Sequence, residues 1–269
     1  MPKVKANEIE LNYEESGTGS EPLVLVHGWT GTLHNWDLLV EHLPLDRLRV
    51  FAFDLRGAGL SDRPPSGYEA WQLADDIADA AGNLGLDRFH YAGHSLGGFI
   101  GMQIGIRHSE RLKRLMLVAP APAGGTGVMG AGADEFYAAM SAVSGDLASH
   151  HDFVLQALST RPVPAEFIEH LLKVEQMCSR EHLDLVWAGL EEDISGRLPE
   201  IKAETLMIAG DRDFVFGSNL QDFARIPNCA LHVFYRVNHM LSWEVPQELA
   251  GLMADFIENG VAQPAAATA

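Results

Sequence analysis

The chain has 269 residues, of which 47% are hydrophobic, and a formal charge of −18. That content suffices for one large core, and an α/β domain of this length need not be divided. The acidic balance repels phosphate backbones and anionic bilayers, which argues against nucleic acid or membrane partners, and no run of 18 apolar residues offers a span.

The first eight residues hold no apolar stretch of the kind that directs secretion, so a cytoplasmic protein is expected. Cys178 and Cys229 form no ligand cluster with other residues, so neither a metal nor a disulfide framework is expected. Val4 to Glu15 alternates loosely and reads as a hairpin with Asn7 in its turn. Leu23–Val26, Val50–Phe53, Phe89–Ala92, Leu115–Val118, Leu206–Ala209 and Leu231–Phe234 are short apolar runs, the pattern of strands covered on both faces. Trp71 to Leu84 has a helical period. Trp71, Leu73, Ala74, Ile77, Ala78, Ala81 and Leu84 lie on one face, with Asp75, Asp76 and Asp79 opposite. Strands alternating with helices imply a parallel sheet with helices on both faces.

The alternation breaks between about Ala121 and Pro199. A glycine-rich stretch, Gly124 to Gly132, precedes four helical patterns: Ala133–Val143, Asp146–Leu158, Ala165–Cys178 and His182–Glu192. So long an interval exceeds a single crossover. The expected division is a core of residues 1–120 and 200–260, an inserted helical cap or lid at 121–199, and a low-complexity, flexible tail at 261–269.

The pentapeptide Gly93-His94-Ser95-Leu96-Gly97 sits between a strand pattern and a long apolar helix pattern. Strand, sharp turn and helix make this a nucleophile elbow and Ser95 a candidate nucleophile. A serine hydroxyl needs a base, and the base needs an orienting carboxylate. His239 follows the last strand pattern and is the candidate base. Ala209-Gly210-Asp211-Arg212-Asp213 offers two carboxylates. Asp213, followed by Phe214, Val215 and Phe216, reads as the buried orienting acid, and Asp211 beside Arg212 as solvated. The oxyanion donors are expected to be the N–H of Leu96, next after the nucleophile, and that of Trp29 in the loop His27-Gly28-Trp29-Thr30-Gly31. His27, His94 and the turn Asp54 to Asp62 read as structural. Trp29, Phe99, Met129, Phe136, Met140, Trp187, Phe214 and Met240 are candidate pocket residues. Trp29, Phe136, Trp187 and Met240 stand as the substrate-binding set.

The chain order Ser95, Asp213, His239 resembles the α/β-hydrolase superfamily. So do His27-Gly28-Trp29, Asp54 through Asp62, Gly93 to Gly98, Gly210 to Asp213 and His239 through Pro246. The resemblance implies an eight-stranded, mostly parallel sheet, helices on both faces, a helical cap after the sixth strand, and no cofactor. It implies a serine hydrolase that cleaves a carboxylic ester or lactone, a small-molecule partner, through an acyl-enzyme. A serine at the nucleophile position disfavours haloalkane dehalogenase and epoxide hydrolase chemistry, which uses aspartate there. Hydroxynitrile lyases usually depend on a lysine near the site, and no candidate stands out. Hydrolysis of a carbon–carbon bond in ring-cleavage diketones, cofactor-free perhydrolysis, and a ligand-binding receptor that retains the triad are the alternatives. Homo-oligomerisation is left open.

Overall fold

The computed structural model describes residues 2–130, 132–176 and 178–261, and the expected tail beyond Val261 lies outside them. Among the described residues eight strands form one sheet: β1 (Lys3–Ala6), β2 (Ile9–Ser16), β3 (Glu21–Val26), β4 (Leu48–Phe53), β5 (Phe89–His94), β6 (Leu112–Val118), β7 (Thr205–Gly210) and β8 (Cys229–Phe234). Their order is β1-β2-β4-β3-β5-β6-β7-β8. The hairpin β1–β2 is antiparallel and joins β4 antiparallel, while β4 through β8 run parallel. Asn7 closes the hairpin at φ 54°, a left-handed conformation that Asn tolerates.

The apolar runs are continuous because both faces of the sheet are covered. Val24 and Val26 pack into one core with Tyr91, Ile100 and Ile104. Leu23 and Leu25 pack into the other with Trp36, Leu249 and Met253. The helices are α1 (Asp37–Val40), α2 (Ala70–Asn83), α3 (Leu96–Arg107), α4 (Gly132–Val143), α5 (Leu147–Leu158), α6 (Ala165–Val174), α7 (Arg180–Gly189), α8 (Phe216–Phe223), α9 (Leu241–Glu244) and α10 (Pro246–Asn259). Helices α4 to α7 all fall between β6 and β7, and the described residues of that interval include no strand. Their buried side chains, among them Val154, Leu158, Leu171, Leu183 and Val186, belong to the same core as Val24 and Val26. No helix among the described residues is long and apolar enough to cross a membrane.

Four local expectations need correction. On α2, Asp76 is not a solvated acid. It is buried in an ion pair with Arg56 at 2.6 Å and also accepts from Asn7 Nδ2. Trp71, placed on the apolar stripe, is 39% exposed, under the Arg107 guanidinium. Helix α6 stops at Val174 rather than Cys178, because Glu175 turns to extended backbone and sends its carboxylate inward to Thr32 and His151. Helix α7 starts two residues early, since Ser179 accepts from the His182 N–H as its N-cap.

Register sets where chemistry collects. Val26 stands opposite both Phe53 and Gly93, His94 opposite Val118, and Gly210 opposite Phe234. The loops after β3, β5, β6, β7 and β8 therefore leave one edge of the sheet, the carboxyl edge where ligands of open α/β sheets bind.

Candidate active site

The turn from β5 into α3 leaves no room for side chains at two positions. A Cβ on Gly93 would strike the Gly97 carbonyl, and one on Gly97 would strike that of Val26. Ser95 between them has φ 53° and ψ −112°. An L-residue there is strained by about 1–3 kcal/mol. The strain persists because the neighbourhood fixes the backbone. Ser95 N–H donates to Val118 O at 3.0 Å, its carbonyl accepts from Phe99 and Ala121, and the Tyr91 hydroxyl holds Gly97 O at 2.7 Å.

His239 stands in the loop after β8. Its Nδ1 lies 2.8 Å from Asp213 Oδ2, with the two side chains 6% and 0% exposed. Asp213 Oδ1 accepts from the Val215 N–H, which fixes the carboxylate. An ionised Asp213 has only acceptors, so Nδ1 carries the proton and Nε2 is left as the basic nitrogen. Ser95 and His239 line the same cavity. Among the described residues Ser95 Oγ closes no hydrogen bond to the imidazole; in unliganded sites such bonds are commonly long and tighten on binding. Asp211 stands away from the imidazole. Its Oδ1 accepts from the Arg236 N–H at 2.6 Å, where Arg236 has φ 57°. It is a fastener of the turn after β8, and its side chain is only 23% exposed rather than solvated.

The loop after β3 is braced from several sides. His27 accepts from the Leu55 N–H through Nε2, so its Nδ1 carries the proton donated to Gly28 O at 2.7 Å. Burial lowers the His27 pKa, consistent with this neutral tautomer. Trp29 Nε1 donates to Leu183 O, and the Trp29 carbonyl is met by His182 Nε2 at 2.6 Å. The Trp29 backbone N–H is given to no acceptor among the described residues. Leu96, first residue of α3, has the unused N–H that every helix start presents. His94, read as structural, is a strut. Its Nε2 donates to the His239 carbonyl at 2.9 Å, and burial pushes its pKa down to about 3, so the ring is neutral.

Two lobes meet at Ser95, both bordered by Trp29, Phe136 and Phe214. One is lined by Ala121, Pro122, Met129, Trp187 and Leu190. The other is lined by His239, Met240 and Met140 together with His150, His151 and Glu175. Trp29 packs on Trp187 at 4.7 Å between ring centroids, and Phe214 lies 5.3 Å from His239. Phe99 is wholly buried in the core and lines neither lobe, which removes it from the pocket set.

Sequence reasoning missed the polar cluster of the second lobe. Leu147, His150, His151, Val154 and Leu158 share one stripe of α5, so a histidine pair on an apolar face was the available signal. Glu175 carried none, because its role depends on the helix ending early. Burial alone would raise its pKa, but His151 and Thr32 hold the carboxyl below its usual value. Glu244 was also missed. Its buried carboxylate accepts from the N–H groups of Thr160, Arg161 and Asn238, tying the α5–α6 connection to the His239 loop.

The sequence profile of the α/β-hydrolase fold matches residues 21–246. The chain is 28% identical to a 2-hydroxy-6-oxononadienedioate/2-hydroxy-6-oxononatrienedioate hydrolase of Burkholderia vietnamiensis, over 94% of this chain and 92% of that one. Its fold is similar to that of an esterase from Exiguobacterium antarcticum, with TM-score 0.85, 22% identity, and coverage of 96% and 99%. It is also similar to Est816, an N-acyl homoserine lactone degrading enzyme, with TM-score 0.77, 26% identity, and coverage of 95% and 100%.

Proposed function

The chain belongs to the α/β-hydrolase family, and from that premise we propose that it is a serine hydrolase acting on a carboxylic ester or lactone. The observation that carries this reading is the buried His239–Asp213 pair, 2.8 Å apart, whose imidazole lines one cavity with a serine on a strained elbow.

Ser95 Oγ attacks the carbonyl carbon as His239 Nε2 takes its proton. Asp213 holds the tautomer and stabilises the imidazolium. The carbonyl oxygen becomes an oxyanion held by the N–H groups of Trp29 and Leu96. The intermediate collapses, the carbon–oxygen bond to the alcohol breaks, and His239 gives its proton to the leaving oxygen. Water, deprotonated by His239, then releases the acid and restores Ser95. Residues 121–199 serve as the cap that shapes both lobes. The free thiols of Cys178 and Cys229 support a cytoplasmic setting. Hydrolysis of a carbon–carbon bond next to a ketone is the second reading, favoured by the near full-length likeness to the oxononadienedioate hydrolase.

The test pairs a fluorophosphonate with a substrate screen. The reagent is expected to label Ser95 alone, and Ser95→Ala to lose roughly 10³-fold or more in turnover with its fold intact. Label on another residue, or full activity in the variant, overturns the assignment. Turnover of 4-nitrophenyl esters and lactones against a vinylogous diketone separates the two readings.

A further inference from the structure

The polar end of the second lobe has no part in the acyl-transfer steps, yet it is buried and incompletely satisfied. His150 and His151 are 5% and 2% exposed. His150 Nδ1 and both ring nitrogens of His151 have no hydrogen-bond partner among the described residues. His151 Nε2 lies 2.9 Å from Glu175 Oε2, an ion-pair distance off the line of a well-directed hydrogen bond. Glu175 Oε1 accepts from the Thr32 hydroxyl at 2.7 Å. Buried polar atoms without partners are destabilising, and a ligand that supplies the partners recovers that loss. No Lys or Arg lines either lobe among the described residues, so the countercharge within reach of Glu175 is the His151 imidazole, which Glu175 already engages. Burial holds His150 neutral, its pKa pushed down to about 4, so this imidazole offers one donor and one acceptor.

Position relative to His239 says which part of a substrate reaches this end. The leaving oxygen receives its proton from His239, so the leaving group lies on the histidine's side. His239 lines this lobe and not the other.

We propose that His150, His151 and Glu175 form a recognition subsite for an uncharged hydrogen-bonding group, a hydroxyl or an amide, carried on the alcohol side of the substrate, and that this subsite rejects a carboxylate there. This rests on the ester-hydrolase reading above. It sets the chain apart from a hydrolase of dicarboxylates such as the oxononadienedioate enzyme it resembles, because a carboxylate placed in this lobe meets Glu175 and finds no Lys or Arg, while His151 is already engaged by Glu175.

Three butanoate esters with one acyl group test the proposal: n-butyl butanoate, 4-hydroxybutyl butanoate and 4-(butanoyloxy)butanoate. In the full-length wild type the expected kcat/KM order is hydroxybutyl, then butyl, then carboxylate. The first and last are expected to differ at least about tenfold, since a site built for hydrogen bonding discriminates far better than an apolar one. Glu175→Gln is expected to reduce the discrimination against the carboxylate, and His150→Phe to reduce the preference for hydroxybutyl over butyl. Far-UV circular dichroism checks that both variants fold. Equal rates for the three esters, or preference for the carboxylate, overturn the proposal. Binding of the same esters to Ser95→Ala, read by tryptophan fluorescence, separates the two claims. The same order of affinities with no turnover by wild type sinks the hydrolase reading and keeps the subsite. Turnover without an order sinks the subsite alone, and absence of both binding and turnover sinks both.

Discussion

Asp211 and Asp213 are two positions apart, and the loop gives them unlike surroundings. Asp213 is buried against His239, and its second oxygen is held by the Val215 N–H. Asp211 fastens Arg236. Replacing Asp213 by Asn puts a donor or a weak acceptor against Nδ1 and favours the wrong imidazole tautomer. A fall in kcat on the order of 10⁴-fold is expected for Asp213→Asn, by analogy with serine proteases. Asp211→Asn keeps an oxygen for the Arg236 N–H and is expected to cost less than about tenfold. Steady-state kcat for both variants at pH 8 checks this, and the reverse ranking shows that the other carboxylate orients the base. That Ser95, Asp213 and His239 lie at one edge of the sheet, with Asp213 rather than Asp211 against His239, was legible because each stands at the end of an apolar strand pattern, with a glycine or a turn beside it. Glu175 and Asp76 were not. A carboxylate at helical spacing looks the same whether water or a distant Thr32 or Arg56 receives it.

At the scale of elements, strands were easier to read than inserted helices. A strand covered on both faces carries its signature in a few consecutive residues, as Leu23 to Val26 does. The end of α6 depends on what Glu175 meets across the fold, and no local propensity encodes that. The helices between β6 and β7 supply the side chains that shape the lobes. Phe136 of α4 borders both, and Trp187 of α7 lines the apolar one. Phe136→Ala and Trp187→Ala are therefore expected to change the kcat/KM ratio between butanoate and bulky aromatic acyl esters by about 1–3 kcal/mol. Labelling by a small fluorophosphonate is expected to change little in Trp187→Ala. If both variants lose melting temperature but keep the acyl-size ratio, these aromatics serve packing alone.

Across the whole molecule, several histidines are folded in as neutral groups. Burial lowers the pKa from 6.5 to about 4 at His90, His150 and His182, and to about 3 at His94. The unfolded chain binds protons at these rings near pH 6.5 while the folded chain refuses them. Their stabilising contribution is thus fully present above pH 6.5 and is lost as pH falls toward 4. Each ring contributes a slope of about 1.4 kcal/mol per pH unit, so the group removes several kcal/mol between pH 6.5 and 5, against a total stability of about 5–15 kcal/mol. Melting temperature measured from pH 8 to 4.5 is expected to be nearly level above pH 7 and to drop steeply below pH 6. A level profile down to pH 5 contradicts this assignment of neutral rings.

The His239 loop does not rest on the sheet alone. The backbone N–H groups of His239 and Met240 both donate to the Leu158 carbonyl, the last residue of α5, and Glu244 grips the chain two residues further on. The proposed base is thereby suspended from the helices inserted between β6 and β7. Lifting that corner would break the hydrogen bonds that hold the His239 and Met240 backbone. A substitution in α5 that never touches a ligand then has a direct mechanical route to the proton-transfer step. The inserted helices thus hold two loops at once: the end of α5 carries the His239 backbone, and α7 braces the Trp29 loop through Leu183 O and His182 Nε2.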